Sequence, residues 1–320
     1  MSARPSLSVG IPTYFRSTDV ARLVAGLAGA DPDLAVTVID DGPDPATARA
    51  LEGAGPSLRL IRHAQNRGYA ESVAELVEGC DTEYLLLSAD DDLCDAAGLA
   101  RARALLAETR PDFAATQFTG PGGALRRGRR ATGTVSLADL RDACGHAPGL
   151  IYRAAAARDA LPFLRARLAA GCYAARVYPQ VLMVAHIALA GGRCLWLPAA
   201  PVTEGAAHPP ALGGPAGQSY DSPAGRLVEQ EAFDAAFEAL GRELPDAAQP
   251  RLAALRLVHR QDTYRRFMRA LRRHHPELVT DWISGSLHYA RASLPRHLLQ
   301  LWRARRARRR ALGLLRKDAP

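Results

Sequence analysis

The chain has 320 residues, of which 48% are apolar and 23% are charged. This length and composition suit a globular protein with a sizeable core and exclude a disordered chain. The net charge of +8 is unevenly placed, because the segment from Arg296 to the C-terminus holds nine basic residues and one acid. A nucleic-acid-binding fold would spread positive charge over its surface, so nucleic acid is not an expected partner.

The five cysteines are scattered and never spaced CxxC. They predict a reduced, cytoplasmic protein without a disulfide framework or a zinc site. A strand pattern begins almost at the N-terminus, so no secretory signal is expected. The most apolar stretch, residues 181–200, is interrupted by His186, two glycines and Arg193. It predicts a buried helix and strand, not a membrane span.

Strand and helix signals alternate through the first third of the chain. Short apolar runs predict strands, and apolar residues three or four apart predict helices. In chain order we expect a strand at 7–12, a helix at 18–29, strands at 35–39 and 58–61, a helix at 68–79 and a strand at 84–88. Repeated β-α-β units predict an α/β fold with a mostly parallel sheet and helices on both faces.

The remaining two thirds of the chain have a mixed pattern. The predicted elements are a Gly- and Arg-rich loop at 119–134, a helical stretch at 172–190, a strand at 193–197, a Gly- and Pro-rich loop at 206–224, and helices from 226 to about 273 and again near the end. The expected organisation is an α/β subdomain at 1–118, a mixed subdomain at 119–225, and a helical C-terminal region with a basic tail at 226–320.

Three polar clusters follow predicted strands: Pro12-Thr13-Tyr14, Asp40-Asp41-Gly42 and Asp90-Asp91-Asp92. The carboxyl ends of parallel strands meet at one edge of the sheet, where ligands bind, so the clusters should converge. Adjacent carboxylates repel one another unless a cation is near. Mg²⁺ and Mn²⁺ bind carboxylates and phosphate oxygens together. One such cluster could be a solvated helix cap, but two directly after apolar strands favour a metal–diphosphate site.

Four motifs occur in the order and spacing of a known family: residues 9–14, 38–42, 66–69 and 87–92. Together they resemble family 2 glycosyltransferases over roughly the first 118 residues. The resemblance implies the GT-A fold, with its Rossmann-like central sheet, and a nucleotide-diphosphate sugar as the donor. It also implies that residues 1–118 form the donor-binding subdomain and residues 119–225 the acceptor-binding subdomain.

The resemblance also implies residue roles in donor binding. The segment Pro12, Thr13 and Tyr14, together with Asp41, would hold the base and ribose of the nucleotide. The segment from Asn66 to Gly68 would lie near the base.

The family's DxDD pattern falls on residues 89–92, counted back from Leu99, so that alanine stands at its first acidic position. Asp91 and Asp92 would then contact the diphosphate and a divalent metal, Mn²⁺ or Mg²⁺. Asp90 is their neighbour in the donor site.

Beyond residue 118, the segments 149–152 and 173–198 resemble abequosyl- and other deoxysugar transferases of O-antigen assembly. This chain departs from the family pattern mainly at the catalytic base. Many family members carry that base in an acidic pair before a glycine. Counting back from Gly191, that position holds Tyr178-Pro179-Gln180.

An inverting transfer to a hydroxyl needs a base within hydrogen-bond reach. Glu204 and His208 are the candidates we select, with Asp221 and His186 also available. Glu204 follows a predicted strand end, but it is equally well explained as a solvated acid. His208 stands among glycines and prolines in a predicted loop. His186 is expected to be a core residue.

The C-terminal tail, residues 298–315, is basic and amphipathic. It could lie on an anionic membrane surface at the inner face of the cytoplasmic membrane, or form a solvated helix packed on the domain. The first arrangement would suit a lipid-linked acceptor.

The sequence therefore predicts an inverting, metal-dependent glycosyltransferase whose acceptor is a glycan, a lipid-linked glycan or a small natural product. Two other functions stay open. The missing acid permits a catalytically impaired donor-binding or scaffold protein, and an acidic sheet edge also occurs in nucleotidyltransferases. The latter should carry a phosphate-binding loop rich in glycine and basic residues after its first strand, where this chain has Pro12-Thr13-Tyr14.

Overall fold

The structure is a computed structural model that describes residues 5–55, 57–205, 222–277, 306–311 and 313. Two compact units divide the chain. The first comprises residues 1–171 and 175–209, and the second comprises 172–174 and 210–319, each within the described ranges.

The strands of the first unit are β1 (Leu7–Thr13), β2 (Ala35–Asp40), β3 (Leu58–Arg62), β4 (Tyr84–Leu87), β5 (Leu93–Cys94), β6 (Phe113–Thr116), β7 (Phe118–Thr119), β8 (Leu125–Arg127), β9 (Gly133–Thr134), β10 (Leu150–Arg153), β11 (Cys194–Leu197) and β12 (Val202–Thr203). The helices up to residue 205 are α1 (Ser17–Ala30), α2 (Ala46–Ala50), α3 (Tyr69–Glu78), α4 (Ala96–Thr109), α5 (Leu140–Cys144), α6 (Ala154–Ala169), α7 (Tyr173–Val177) and α8 (Pro179–Leu189).

Eight strands of the described residues form one sheet in the order β3-β2-β1-β4-β10-β6-β11-β9. The pairs β3–β2, β2–β1, β1–β4 and β6–β11 are parallel, whereas β10 and β9 run antiparallel to their neighbours. The prediction of a mostly parallel sheet is confirmed. Because β10 runs in the opposite direction, its first residue, Leu150, pairs with Leu87 near the end of β4 and with Ala115 of β6.

Helices cover both faces of the sheet, as predicted. Alternate residues of a strand point to opposite faces. Val9 and Ile11 of β1 are fully buried in a core cluster that includes residues of α1 and α4. On the opposite face, a Cβ at Gly10 would lie 3.0 Å from Leu76 of α3. Glycine at this position therefore allows α3 to pack closely on β1.

Two predicted segments differ in detail from the structure. The helical stretch at 172–190 is divided into α7 and α8, because Tyr178 leaves the helical conformation and Pro179 begins α8. A residue before proline disfavours the α conformation. The loop predicted at 119–134 contains the short strands β8 and β9. One sheet runs through residues of both 1–118 and 119–225, so the functional boundary at 118 stays a prediction.

The second unit contains α9 (Pro223–Glu243) and α10 (Gln249–His274), which confirms the predicted C-terminal helices. Arg226 and Arg266 both pair with the buried carboxylate of Glu229, at 2.6 and 3.0 Å. Of the tail, residues 306–311 are helical, and Arg308 donates to Gln261 at 3.0 Å. Apart from residue 313, the other residues of the predicted amphipathic stretch lie outside the described ranges. No helix in the described ranges is long and apolar enough to span a membrane.

Candidate functional site

The polar segments after β1, β2 and β4 converge at the carboxyl edge of the sheet, as the parallel arrangement requires. Asp41 donates its backbone N–H to the carbonyl of Thr13 at 2.9 Å. The hydroxyl of Thr13 donates to Oδ2 of Asp90 at 2.8 Å. Pro12 pairs in register with Ile39 of β2. The predicted donor-site residues at the ends of β1 and β2 therefore lie together with the acidic segment.

The acidic segment, Asp90 to Asp92, folds back onto the end of β4. Oδ2 of Asp92 accepts hydrogen bonds from Ser88 Oγ at 3.1 Å and from the N–H of Ala89 at 2.9 Å. Burial raises the pKa of Asp92 to about 7, against the lowering effect of these two hydrogen bonds. Burial also raises the pKa of Asp90. The segment thus concentrates carboxylates whose ionised forms are stabilised by any added positive charge.

Arg16, which the sequence analysis did not single out, supplies one such charge. Its Nη1 donates to Asp90 at 3.1 Å and to Asp91 at 2.8 Å. The preceding residue, Phe15, has a φ of 55°, a left-handed conformation that is strained for an aromatic residue and is commonly found at functional sites. A basic residue two positions after Tyr14 was the available sequence signal.

The acidic segment offers oxygen donors of the kind that divalent metals bind. No three His, Cys, Asp or Glu side chains converge as a ready-made cage in the ranges that the structure describes. Asp91 and Asp92 are nevertheless adjacent hard oxygen donors, and the side chain of Asp91 is 23% exposed. Mg²⁺-type ions commonly take one or two carboxylates and complete their shell with phosphate oxygens and water. The residues therefore fit a metal that binds together with a diphosphate.

Asp41 organises the neighbouring loop from Asn66 to Gly68. Its carboxylate accepts from the N–H groups of Arg67 at 2.8 Å and Gly68 at 2.7 Å. It also pairs with Nδ1 of His63 at 2.7 Å. Asp41 is buried, whereas Asn66 is exposed at this edge. His63 directly follows β3, so the strand-end rule that singled out the other clusters could also have found it.

Two exposed aromatic side chains lie near the turn that follows Asp41. Tyr14 and Phe15 are 38% and 57% exposed, and their ring centroids are 4.4 Å apart. A Cβ at Gly42 would lie 3.8 Å from the ring of Phe15, so Phe15 flanks the turn that follows Asp41. Exposed rings at a ligand-binding edge can stack on a nucleotide base.

The segment after β12 brings Glu204 back to the acidic segment. β12 pairs with β5, which directly follows Asp92. A Cβ at Gly205 would lie 1.8 Å from the carbonyl oxygen of Asp91, so only glycine permits this approach. Glu204 donates its N–H to Thr119 at 2.8 Å, and its carboxylate accepts from Arg126 at 3.2 Å.

The other candidates for the base lie elsewhere. His208 and Asp221 are outside the described residues. His186 lies on α8, with its ring stacked on Phe163 at 6.1 Å, in agreement with a packing role. Tyr178 and Gln180, at the family's acidic position, are buried.

The chain has a further ionisable group at this edge, His146, which the sequence analysis missed. His146 lies between α5 and β10, just before the strand that runs opposite to β4. Its ring packs on Phe118 at 4.8 Å. The buried guanidinium of Arg127 donates to the carbonyl of His146 at 2.6 Å and also to that of Pro148. No local pattern marks His146, since its position depends on where β10 enters the sheet.

The side chain of His146 is exposed to solvent, yet desolvation by the surrounding protein lowers the pKa of His146 to about 4. The positive charge of Arg127 acts in the same direction, and the carboxylates of Glu204 and Asp91 oppose it. His146 is therefore neutral at physiological pH and lies within electrostatic range of both acidic groups.

Comparisons with known proteins agree with this geometry. Residues 8–161 match the family model described as glycosyl transferase family 2. No curated protein sequence matches the chain significantly. The structure of S. aureus TarS 1–349 in complex with UDP-GlcNAc superposes with a TM-score of 0.56 at 19% identity, covering 79% of this chain and 71% of that one.

A second similar structure is the mannosyltransferase PcManGT from Pyrobaculum calidifontis in complex with GDP-Man and Mn²⁺. It has a TM-score of 0.52 at 18% identity and covers 96% of this chain and 86% of that one. These likenesses concern the fold, while the family match concerns the sequence of the segment that carries the site. The chain therefore carries a family 2 glycosyltransferase domain at residues 8–161 and has the GT-A fold.

Proposed function

We propose that the protein transfers a sugar from a nucleotide-diphosphate donor to an acceptor hydroxyl, with inversion at the anomeric carbon and with a divalent metal. The observation that carries this proposal is the convergence of Thr13, Arg16 and the acidic segment Asp90–Asp92 at one edge of the sheet. The nucleotide sugars bound by TarS and PcManGT support a donor of the same class.

The nucleotide would bind along the β1 and β2 ends of this edge. The exposed rings of Tyr14 and Phe15 offer a stacking surface, and Asp41 holds the loop that follows Asn66. Since the carboxylate of Asp41 already binds two backbone N–H groups and His63, we assign Asp41 chiefly to shaping the pocket. Its predicted contact with base or ribose would use the remaining acceptor capacity.

The diphosphate would bind next to Asp91 and Asp92, which would hold Mn²⁺ or Mg²⁺. A divalent ion at this place neutralises the charge that develops on the leaving diphosphate. Arg16 offers a guanidinium at the same place, and guanidinium groups bind phosphate oxygens well. The presence of Mn²⁺ in PcManGT supports a metal of this kind.

The acceptor would enter from the side of Glu204, the predicted base, whose neighbour Gly205 lies against the carbonyl of Asp91. The acceptor class stays a prediction: glycan, lipid-linked glycan or small natural product, with the resemblance to abequosyl- and deoxysugar transferases as its basis. Cytoplasmic location and contact of the basic tail with the inner membrane surface likewise stay predictions.

The test is a thermal-shift panel of UDP, GDP, CDP and dTDP, each with Mn²⁺, Mg²⁺ or EDTA. A ligand that binds only the folded state at a hundredfold excess over Kd stabilises it by about 2.7 kcal/mol. We expect one nucleotide to raise the melting temperature in a metal-dependent way. Asp91→Asn should abolish this shift, while Asp33→Asn, an exposed acid after α1, should preserve it.

Two results would contradict the proposal. If no nucleotide shifts the melting temperature with either metal, the donor site is wrongly assigned. If a nucleotide binds equally well in EDTA, the metal is not part of the site. Donor binding without transfer to any acceptor would favour the impaired donor-binding protein.

A further inference from the structure

We propose that His146 is the general base of this glycosyltransferase and accepts the proton of the acceptor hydroxyl. The inference rests on the proposed function and deepens it, because it assigns the catalytic group that family members carry at the position of Tyr178-Pro179-Gln180. Three independent features of the fold support it.

The first feature is the place of His146 in the sheet. β10 is inserted antiparallel between β4 and β6, so the residues before β10 emerge at the carboxyl edge of those two strands. The N–H of Gly149 donates to the carbonyl of Leu87 at 2.8 Å, and the acidic segment begins three residues after Leu87. The loop that carries His146 thus borders the proposed diphosphate site.

The second feature is the rigid support of this loop. The guanidinium of Arg127 donates to three carbonyl oxygens, those of Thr116, His146 and Pro148. Arg127 also lies over the ring of Phe118 at 5.8 Å, and Phe118 packs on the ring of His146. A catalytic group needs this kind of fixed geometry. The three carbonyl contacts offset the cost of burying the charge of Arg127.

The third feature is the set of charges around the ring. Arg127 from β8 favours the neutral imidazole, while Glu204 after β12 and Asp91 after β4 stabilise the imidazolium once it forms. The carboxylate of Glu204 is itself engaged by Arg126. The imidazole of His146 is thus neutral and exposed, whereas the carboxylate of Glu204 is already paired with Arg126.

The acceptor O–H bond breaks, and its proton passes to a ring nitrogen of His146. The acceptor oxygen forms the new bond to the anomeric carbon, and the bond from this carbon to the diphosphate oxygen breaks, so that the diphosphate leaves with the electron pair. His146 then returns the proton to solvent.

The experiment compares His146→Gln and His146→Ala with the wild type in a nucleotide-release assay. The donors are UDP-GlcNAc, GDP-Man and the commercially available sugar donors of whichever nucleotide shifts the melting temperature. Water serves as the acceptor where no other is known. We expect kcat to fall by about 10²–10⁴-fold, with the nucleotide-induced thermal shift unchanged. Added imidazole should restore turnover to His146→Ala, which a purely structural role would not produce.

Two comparison variants sharpen the result. His275→Gln removes an exposed histidine of the second unit and should leave turnover unchanged. Glu204→Gln should reduce turnover by less than about tenfold, because it removes a charge near the imidazolium and not the base itself.

Full turnover in His146→Gln would overturn the inference, and a severe loss in Glu204→Gln at the same time would assign the base to Glu204. A wild-type protein that binds a nucleotide but releases none from any donor would also overturn it, while leaving donor binding intact. A wild-type protein that binds no nucleotide at all would instead overturn the proposed function.

Discussion

Nη1 of Arg16 lies 2.8 Å from Oδ2 of Asp91, so a guanidinium is paired with the carboxylate that we assign to the metal. The same nitrogen reaches Asp90 at 3.1 Å. A divalent ion bound at Asp91 would therefore compete with Arg16 for the same negative charge, and it would either displace the guanidinium or share the carboxylate with it.

The first prediction concerns this competition. Arg16→Gln removes the competing charge, so we expect it to tighten Mn²⁺ binding in the absence of nucleotide by about three- to tenfold, in line with partly exposed ion pairs. Titration of free Mn²⁺ by electron paramagnetic resonance measures the affinity. Arg22→Gln, which breaks an ion pair with Asp19 on α1, should bind as the wild type does. Equal or weaker Mn²⁺ binding in Arg16→Gln would contradict competition.

The second prediction concerns the pH dependence of stability at Asp92. An unfolded aspartate ionises near pH 3.9, whereas burial raises the pKa of Asp92 to about 7. The folded state thus disfavours ionisation, and wild-type stability that is fully present below about pH 4 is lost as the pH rises to about 7. Asparagine does not ionise, so the stability of Asp92→Asn should not fall in this pH range. Its side-chain oxygen can still accept hydrogen bonds from Ser88 and Ala89.

The difference in melting temperature between Asp92→Asn and the wild type, measured in EDTA, should therefore grow in favour of the variant from about pH 5 to pH 7 and then level off. Saturating Mn²⁺ should reduce the difference by stabilising the ionised carboxylate. A difference that stays constant with pH would show that Asp92 is already ionised throughout. Asp33→Asn serves as the exposed comparison.

The third prediction concerns the close approach of Gly205 to Asp91. Gly205→Ala would place a methyl group within 1.8 Å of a carbonyl oxygen, so the backbone of one segment must move. We expect a loss of about 1–3 kcal/mol, typical of overpacking, and a weaker nucleotide-induced thermal shift. Gly29→Ala, at an open position in α1, should instead stabilise the protein by up to roughly 1 kcal/mol. Similar melting temperatures for the two variants would contradict the close approach.

The fourth prediction concerns Asp41 as the organiser of the loop at Arg67 and Gly68. Asp41→Asn replaces one acceptor oxygen by an NH₂ group that faces a donor, which costs about 1–3 kcal/mol. We expect faster hydrogen exchange at the amides of both loop residues, and weaker nucleotide binding. Asp44→Asn, on the exposed turn before α2, should leave their exchange unchanged. Unaltered exchange in Asp41→Asn would mean that other contacts hold the loop.

Much of the fold followed from local patterns. The alternation of apolar runs with helical spacing predicted β1 to β4 with α1 and α3. A helix buried on one side has apolar residues three or four apart, and a strand buried on both faces has a continuous apolar run. The rule that polar residues at the ends of parallel strands converge also placed Thr13 and Asp41 beside the acidic segment. The division of the helix at Tyr178 was missed, although Pro179 was its local signal.

The sequence by itself thus determined the β-α-β frame and the presence of an acidic edge after β1, β2 and β4. Only the tertiary structure decided which groups face this edge. Arg16 reaches Asp91 through a left-handed turn at Phe15, and His146 arrives because β10 enters the sheet antiparallel between β4 and β6. Strand order and direction depend on pairing between residues far apart in the chain. Such pairing produces no pattern in the residues close to His146, so the local sequence could not predict the position of His146.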